Sequence, residues 1–220
     1  MRRILLILSI VAIFGVLFSS TIDIAYRLAK ITQRKLIVMF SSPTCYYCIL
    51  FKDKVLPDPK FQAVLVPNFV FVEIYPSSEK SELFAKEVLS IQSATYRDLF
   101  ERFRVMGTPT FFFFKDKQVL GYLPGYLDGE NFTKVLKYVA QEKKESLESY
   151  LKKEDPFEGT QVLVEVTEEE AQFVLAHEKN SQLIEKNVNS LDKRKIYVVK
   201  SKELADELLK RGVYRVLLVK

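Results

Sequence analysis

A chain of 220 residues, 48% of them hydrophobic, has enough apolar side chains for one domain of ordinary size and a smaller companion. Its formal charge of +5 comes from 33 basic and 28 acidic residues, interleaved as in Lys143-Lys144-Glu145 and Lys152-Lys153-Glu154-Asp155. Mixing of this kind describes a solvated surface and excludes a basic stripe for nucleic acid, and no RNA- or DNA-reading motif is present.

In chain order, the first feature is a basic Met1-Arg2-Arg3 followed by an apolar stretch from Ile4 to Phe18, broken only by Ser9 and Gly15, and then Ser19-Ser20-Thr21. This is the tripartite form of a secretory signal. No A-x-A pair marks a cleavage boundary, and the apolar count taken through Ile22 is just long enough to span a bilayer. Residues 1–21 are therefore expected to be a signal peptide cut near Ser20 or a retained N-terminal membrane anchor. Either places the remainder in a periplasmic or other extracytoplasmic compartment, where a cysteine pair can cycle.

Residues 24–32 carry apolar side chains at helical spacing. The run Leu36-Ile37-Val38-Met39-Phe40 reads as a buried strand, and Ser41-Ser42-Pro43-Thr44 leads from it into an amphipathic segment opening with Cys45 and Cys48 and closing before Pro57-Asp58-Pro59. Residues 69–74 are a second strand, and residues 81–90 and 96–103 have helical patterning. Gly107-Thr108-Pro109 precedes the strand of Phe111 to Phe114, whose consecutive apolar residues suit a central position covered on both faces. Lys115-Asp116-Lys117-Gln118 turns the chain into a return strand, Gly125 breaks it, and Asp128 caps a helix bearing Phe132, Val135, Leu136 and Val139.

The order is β-α-β-α, then a strand entered through proline, a hairpin and a final helix. This is an α/β fold of the thioredoxin-like kind, a central mixed sheet flanked by helices, over residues 22–140. Residues 141–160 are expected to be a charged helix extension and linker. Residues 161–220 read as a small C-terminal α/β domain of β-α-β-α-β order, with Thr167 and Ser201 as helix caps and Gly212 as a stop. About sixty residues are marginal for independent stability, so this unit should pack on the first domain or on a second copy of itself. His177, the single histidine, is expected at a surface or helix end.

Cys45 and Cys48 are the only cysteines. At i and i+3 they share a helical face, close enough for a disulfide, and the electropositive helix start stabilises the thiolate of the first. A structural zinc site needs about four ligands, and only His177 is left to join the pair. A purely structural bridge across so short a loop removes little unfolded-state entropy. Redox chemistry is the reading that needs this placement, with a redox-inert adaptor as the non-enzymatic alternative.

Thr44-Cys45-Tyr46-Tyr47-Cys48 after a buried strand, with Gly107-Thr108-Pro109-Thr110 before the next, resembles the thioredoxin superfamily over residues 22–140. The helix running into Lys54-Val55-Leu56-Pro57-Asp58-Pro59 resembles periplasmic thioredoxin-related proteins of the SoxW type. The resemblance implies that Cys45 is the nucleophile and Cys48 the resolving thiol. It also implies a cis Pro109, with the Thr108 backbone beside the sulfurs to pair with an extended substrate. Many cytosolic thioredoxins have a tryptophan before the first cysteine, Gly-Pro between the pair and a buried aspartate on the preceding strand; Thr44, Tyr46-Tyr47 and Met39 stand there in this chain. Deprotonation of Cys48 then needs another group, with Glu73 a candidate, and Tyr46 and Tyr47 are candidate substrate contacts. The implied activity is reduction of protein disulfides, with oxidase and isomerase as alternatives. No metal or organic cofactor is implied. The expected partners are disulfide-bearing proteins and a membrane-linked or soluble thiol donor, with a homodimer through the C-terminal domain as a further option.

Overall fold

The computed structural model describes residues 21–186 and 189–220. The apolar N-terminal stretch, and with it the expected signal or anchor, lies outside the described residues apart from Thr21. No described helix is long and apolar enough to cross a membrane.

The chain begins with α1 (Thr21–Thr32) and β1 (Lys35–Phe40), then α2 (Tyr46–Leu50), which runs on into a π-helical turn at Phe51–Val55. Next come α3 (Pro59–Asn68), β2 (Phe69–Ile74), β3 (Lys80–Ser81), α4 (Leu83–Leu89), β4 (Ala94–Thr95) and α5 (Tyr96–Arg102). The hairpin β5 (Thr110–Lys115) and β6 (Gln118–Pro124) leads to α6 (Gly129–Ala140). The main sheet has the order β2-β1-β5-β6, with β1 parallel to β2 and antiparallel to β5.

Both central strands are apolar along their middles, Leu36–Phe40 and Phe111–Phe114, because both faces are covered. Leu36, Val38, Phe40, Phe112 and Phe114 face α1, α4 and α5, whereas Ile37, Met39, Phe111 and Phe113 face Cys48, Phe51, α3 and α6. Burying each such phenylalanine contributes about 1.5–3 kcal/mol. Asp23 ties α1 to α4: its carboxylate accepts from Ser81 Oγ (2.7 Å) and from the backbone N–H groups of Glu82 (2.9 Å) and Phe84 (2.9 Å). It thereby caps a helix whose own N-cap side chain makes no such bond.

The helix α3 is not in the sequence reading, which took Pro57-Asp58-Pro59 as a break. Asp58 instead caps α3 through the N–H groups of Lys60 (2.8 Å) and Phe61 (3.0 Å), and Pro59 occupies the first turn, where its missing donor costs nothing. The charged segment after Ala140 is likewise not a helix extension. Gln141 is the C-cap of α6, Glu142 turns left-handed (φ 50°), and Ser146 opens a separate short helix, α7 (Leu147–Leu151).

The C-terminal unit comprises β7 (Val162–Val166), α8 (Glu168–His177), β8 (Ser181–Leu183), β9 (Ile196–Val199), α9 (Lys202–Lys210) and β10 (Arg215–Val219). All four strands are parallel, in the order β7-β10-β9-β8, and β8 is the element absent from the expected pattern. Thr167 and Ser201 cap α8 and α9 as expected. His177 is exposed near the end of α8, stacked on Phe173 at 4.3 Å.

This unit packs on the first domain. One continuous apolar cluster runs from the main sheet through α1 and α8 to Val164, Ile196, Val198 and Leu217 of the second sheet. Two buried arginines close the junction. Arg34 pairs with Glu178 and donates to the Phe69 carbonyl (3.3 Å), and Arg215 donates to the carbonyls of Thr32 and Pro67 (3.0 Å to the latter). Burial lowers both guanidinium pKa values; that of Arg215 falls to about 9, with the nearby positive charge of Arg34 contributing second. Gly159 passes so close to Pro67 that an added Cβ would lie 2.9 Å from that ring, so a side chain there would require Pro67 or the nearby Tyr214 ring to shift.

Candidate functional site

The site forms where β1 ends. Ser41 is still held in the sheet by its N–H to the Ile74 carbonyl (3.0 Å), and the chain then turns so that Cys45 N–H reaches the Ser42 carbonyl (3.1 Å). Cys45 is the N-cap of α2: its sulfur accepts from the Cys48 N–H at 3.1 Å. The two cysteines form a disulfide, with Cα atoms 5.2 Å apart. Their environments differ sharply. Cys45 is half-buried at the surface, and Cys48 is 1% exposed in the cluster of Met39, Phe51 and Phe111. Only the Cys45 side of the bond can be approached by a second polypeptide.

The ladder brings the proline segment to the same end of the sheet. Phe40 pairs with Thr110, so Pro109 enters β5 beside the point where Ser41 leaves β1. The Thr108–Pro109 peptide is cis. The Pro109 carbonyl accepts from the Gly125 N–H (2.8 Å), and Gly125 adopts φ +84°, a conformation that suits a residue without Cβ. The residue after it, Tyr126, stacks on Tyr47 (5.7 Å between centroids), and Tyr46 meets Tyr47 edge-on (5.4 Å). Tyr46 and Tyr47 are both exposed, which places an aromatic surface next to Cys45. Tyr126 is not among the sequence candidates; its place after the Gly125 break was the available signal.

Glu73 lies opposite Met39 in the parallel β1–β2 register, on the side of the sheet that carries Cys48. Its side chain is 17% exposed and bound to Lys52, with both carboxylate oxygens 3.2 Å from Nζ. Lys52 follows Cys48 by four residues, one helical turn on, and also donates to the Tyr75 hydroxyl (3.1 Å). That hydrogen bond, then the Glu73 carboxylate, raise the Lys52 pKa against the opposing effect of burial. The cationic partner of Glu73 is the piece that strand periodicity cannot supply, since Lys52 is 21 residues away. Among the described residues no group of three or more His, Cys, Asp or Glu side chains is placed to hold a metal ion.

Residues 22–140 match the sequence profile of the thioredoxin-like domain family. The chain belongs to that family. Solved structures similar to this thioredoxin-like protein include a thioredoxin-fold protein from Helicobacter pylori, 18% identical, with a TM-score of 0.47 over 59% of this chain and 95% of that one. A thioredoxin from Thermus thermophilus is 30% identical, with a TM-score of 0.42 over 52% of this chain and 80% of that one. The DsbD C-terminal domain of Neisseria meningitidis in its reduced form is 17% identical, with a TM-score of 0.37 over 56% of this chain and 92% of that one. No curated protein matches the sequence. Family membership and the cystine at the start of α2 together support, at the general level, a thiol–disulfide oxidoreductase.

Proposed function

We propose that this thioredoxin-like protein reduces disulfide bonds of extracytoplasmic proteins, in the manner of the SoxW-type proteins its cysteine segment resembles. The observation that carries the reading is the asymmetry of the pair, a reachable Cys45 sulfur bonded to a buried Cys48 sulfur. In the dithiol form the Cys45 thiolate attacks one sulfur of a substrate disulfide, forming a mixed disulfide and releasing the other substrate sulfur, which takes up a proton. Cys48 then loses its proton and attacks Cys45, so that the second substrate thiol leaves and the Cys45–Cys48 bond forms. Two electrons pass to the substrate, and a membrane-linked or soluble thiol donor restores the dithiol. Tyr46, Tyr47, Thr108 and Pro109 are the proposed substrate contacts.

The direction of flow is argued from the surroundings of Cys45. A strongly oxidising pair needs a strongly stabilised thiolate. Here the intervening residues are two tyrosines, which add no positive charge beside Cys45, and the cation one turn beyond Cys48, Lys52, is paired with Glu73. Equilibration with glutathione tests the reading: a potential toward about −270 mV supports a reductant, and one near about −120 mV would instead indicate an oxidase. The adaptor alternative is tested by insulin reduction with dithiothreitol, where equal rates for the wild type and Cys45→Ser would favour it.

A further inference from the structure

On the face of the main sheet opposite α2, the helices α1, α4 and α5 cover β2, β1 and β5 but leave β6 open. A hollow of about 500 Å³ remains there, floored by Phe103, Phe112 and Tyr122 and walled by the segment from Arg104 to Pro109. Its floor is rigid and aromatic: Tyr122 lies flat on Phe112 (5.3 Å, 18°), and Phe103 packs against Phe112 at 4.9 Å. Yet Tyr122 is 64% exposed and Met106, at the rim, is 96% exposed. Exposed apolar side chains gathered around one hollow offer an apolar group of a partner a place to be buried. The volume lies in the range of sites that enclose a ligand group. One charge lines the hollow, the exposed Arg104, which makes no ion pair among the described residues, and no carboxylate lines it.

We propose that this hollow takes a large apolar side chain of the substrate polypeptide and that Arg104 selects an acidic residue beside it. The inference rests on the reductase reading and deepens it by naming the substrate class: an extended, cystine-bearing segment carrying an aromatic–acidic pair. Continuity supplies the first half of the argument, because the wall of the hollow is the Thr108–Pro109 segment that enters β5 next to the cysteine helix. The same segment lines the hollow together with Tyr122, so a substrate chain that pairs with Thr108 beside Cys45 has the hollow as its neighbour on the far side of that segment. Charge supplies the second half, since a lone cation at an apolar rim is complemented by a carboxylate.

The test uses the full chain, reduced with dithiothreitol and freed of excess reagent. Peptides with one cysteine in mixed disulfide with a small thiol carry Phe-Asp, Ser-Asp or Phe-Lys at the same offset, scanned over several offsets. In the wild type the single-turnover second-order rate constant for the best Phe-Asp peptide should exceed that for Ser-Asp by about tenfold to a hundredfold. The readout in variants is the ratio between peptides, so a general loss of activity cancels. Tyr122→Ser should collapse the Phe-to-Ser ratio toward one, and Arg104→Glu should turn the preference for Asp over Lys around. A Phe-to-Ser ratio near one in the wild type, or ratios unmoved by both variants, would overturn the proposal. Failure of the wild type to reduce even a small aromatic disulfide would overturn the reductase reading itself, and the two failures are distinguishable.

Discussion

Phe40, the last residue of β1, pairs with Thr110, the first residue of β5. Because the two strands run antiparallel, the chain leaves toward Cys45 at the same end of the sheet where it returns through Pro109. The ladder thus brings to one end of the sheet two segments some sixty positions apart in sequence, and Gly125 and Tyr126 link them through the Pro109 carbonyl and the Tyr47 ring.

The unequal exposure of the two sulfurs predicts unequal variants. Cys45→Ser should abolish insulin reduction. Cys48→Ser should still attack but accumulate the mixed disulfide, visible as a dithiothreitol-sensitive adduct on a gel. Adduct formation through Cys48 in the Cys45→Ser protein would contradict the assignment of roles.

Glu73, held by Lys52 on the Cys48 side of the sheet, is the candidate base for the Cys48 proton in the resolving step. Glu73→Gln should lengthen the life of the mixed disulfide on the order of a hundredfold, the contribution of a positioned base. Rapid acid quenching measures that lifetime. If it does not change, Glu73 serves only as the structural partner of Lys52.

Removing the carboxylate that faces Arg34 should loosen the junction of the two units. The Arg34 side chain is 2% exposed, and Glu178→Ala leaves its charge buried without a counterion, at a cost of about 3–5 kcal/mol. Urea denaturation would show this as a lower midpoint. Replacing both residues with apolar ones of similar size should restore most of the loss, and a stable single variant would show that the pair does not hold the units together.

Asp155 gives the fold a defined acid sensitivity. Burial alone would raise its pKa, but hydrogen bonds from Tyr150, Gln141 and the Phe157 N–H, together with Lys143, hold it at about 2 instead of 3.8. A carboxyl with a depressed folded-state pKa stabilises the fold above its unfolded value and loses that contribution as the pH falls through about 2. The contribution near neutrality is about 2 kcal/mol. Asp155→Asn should therefore lower the Tm at pH 7 and matter little near pH 2, as read by thermal unfolding at both values. An equal loss at both would assign the effect to hydrogen bonding alone.

The elements that were legible in the sequence share a local cause. Strands β1, β2 and β5 are marked by apolar runs, and Asp128, Thr167 and Ser201 act on N–H groups three residues ahead. The helix α3 was hidden because Ala63-Val64-Leu65-Val66 has no polar face and Pro57-Asp58-Pro59 reads equally as a stop or a start. Nothing nearby in sequence announces the carbonyls and the carboxylate that receive Arg34 and Arg215.

What the amino-acid order determined alone was the presence of a redox pair: two cysteines three positions apart at the start of a helix, after a strand that had to be buried. Tertiary structure decided which sulfur faces the solvent, that Glu73 pairs with Lys52 on the side of the sheet that carries Cys48, that Tyr126 joins the aromatic surface, and that the last sixty residues are riveted to the first domain. The reason is one of range. Periodicity and capping are set by neighbours within a turn or a pleat, whereas burial and the partners of a charged group are set by residues that become neighbours only when the chain has closed.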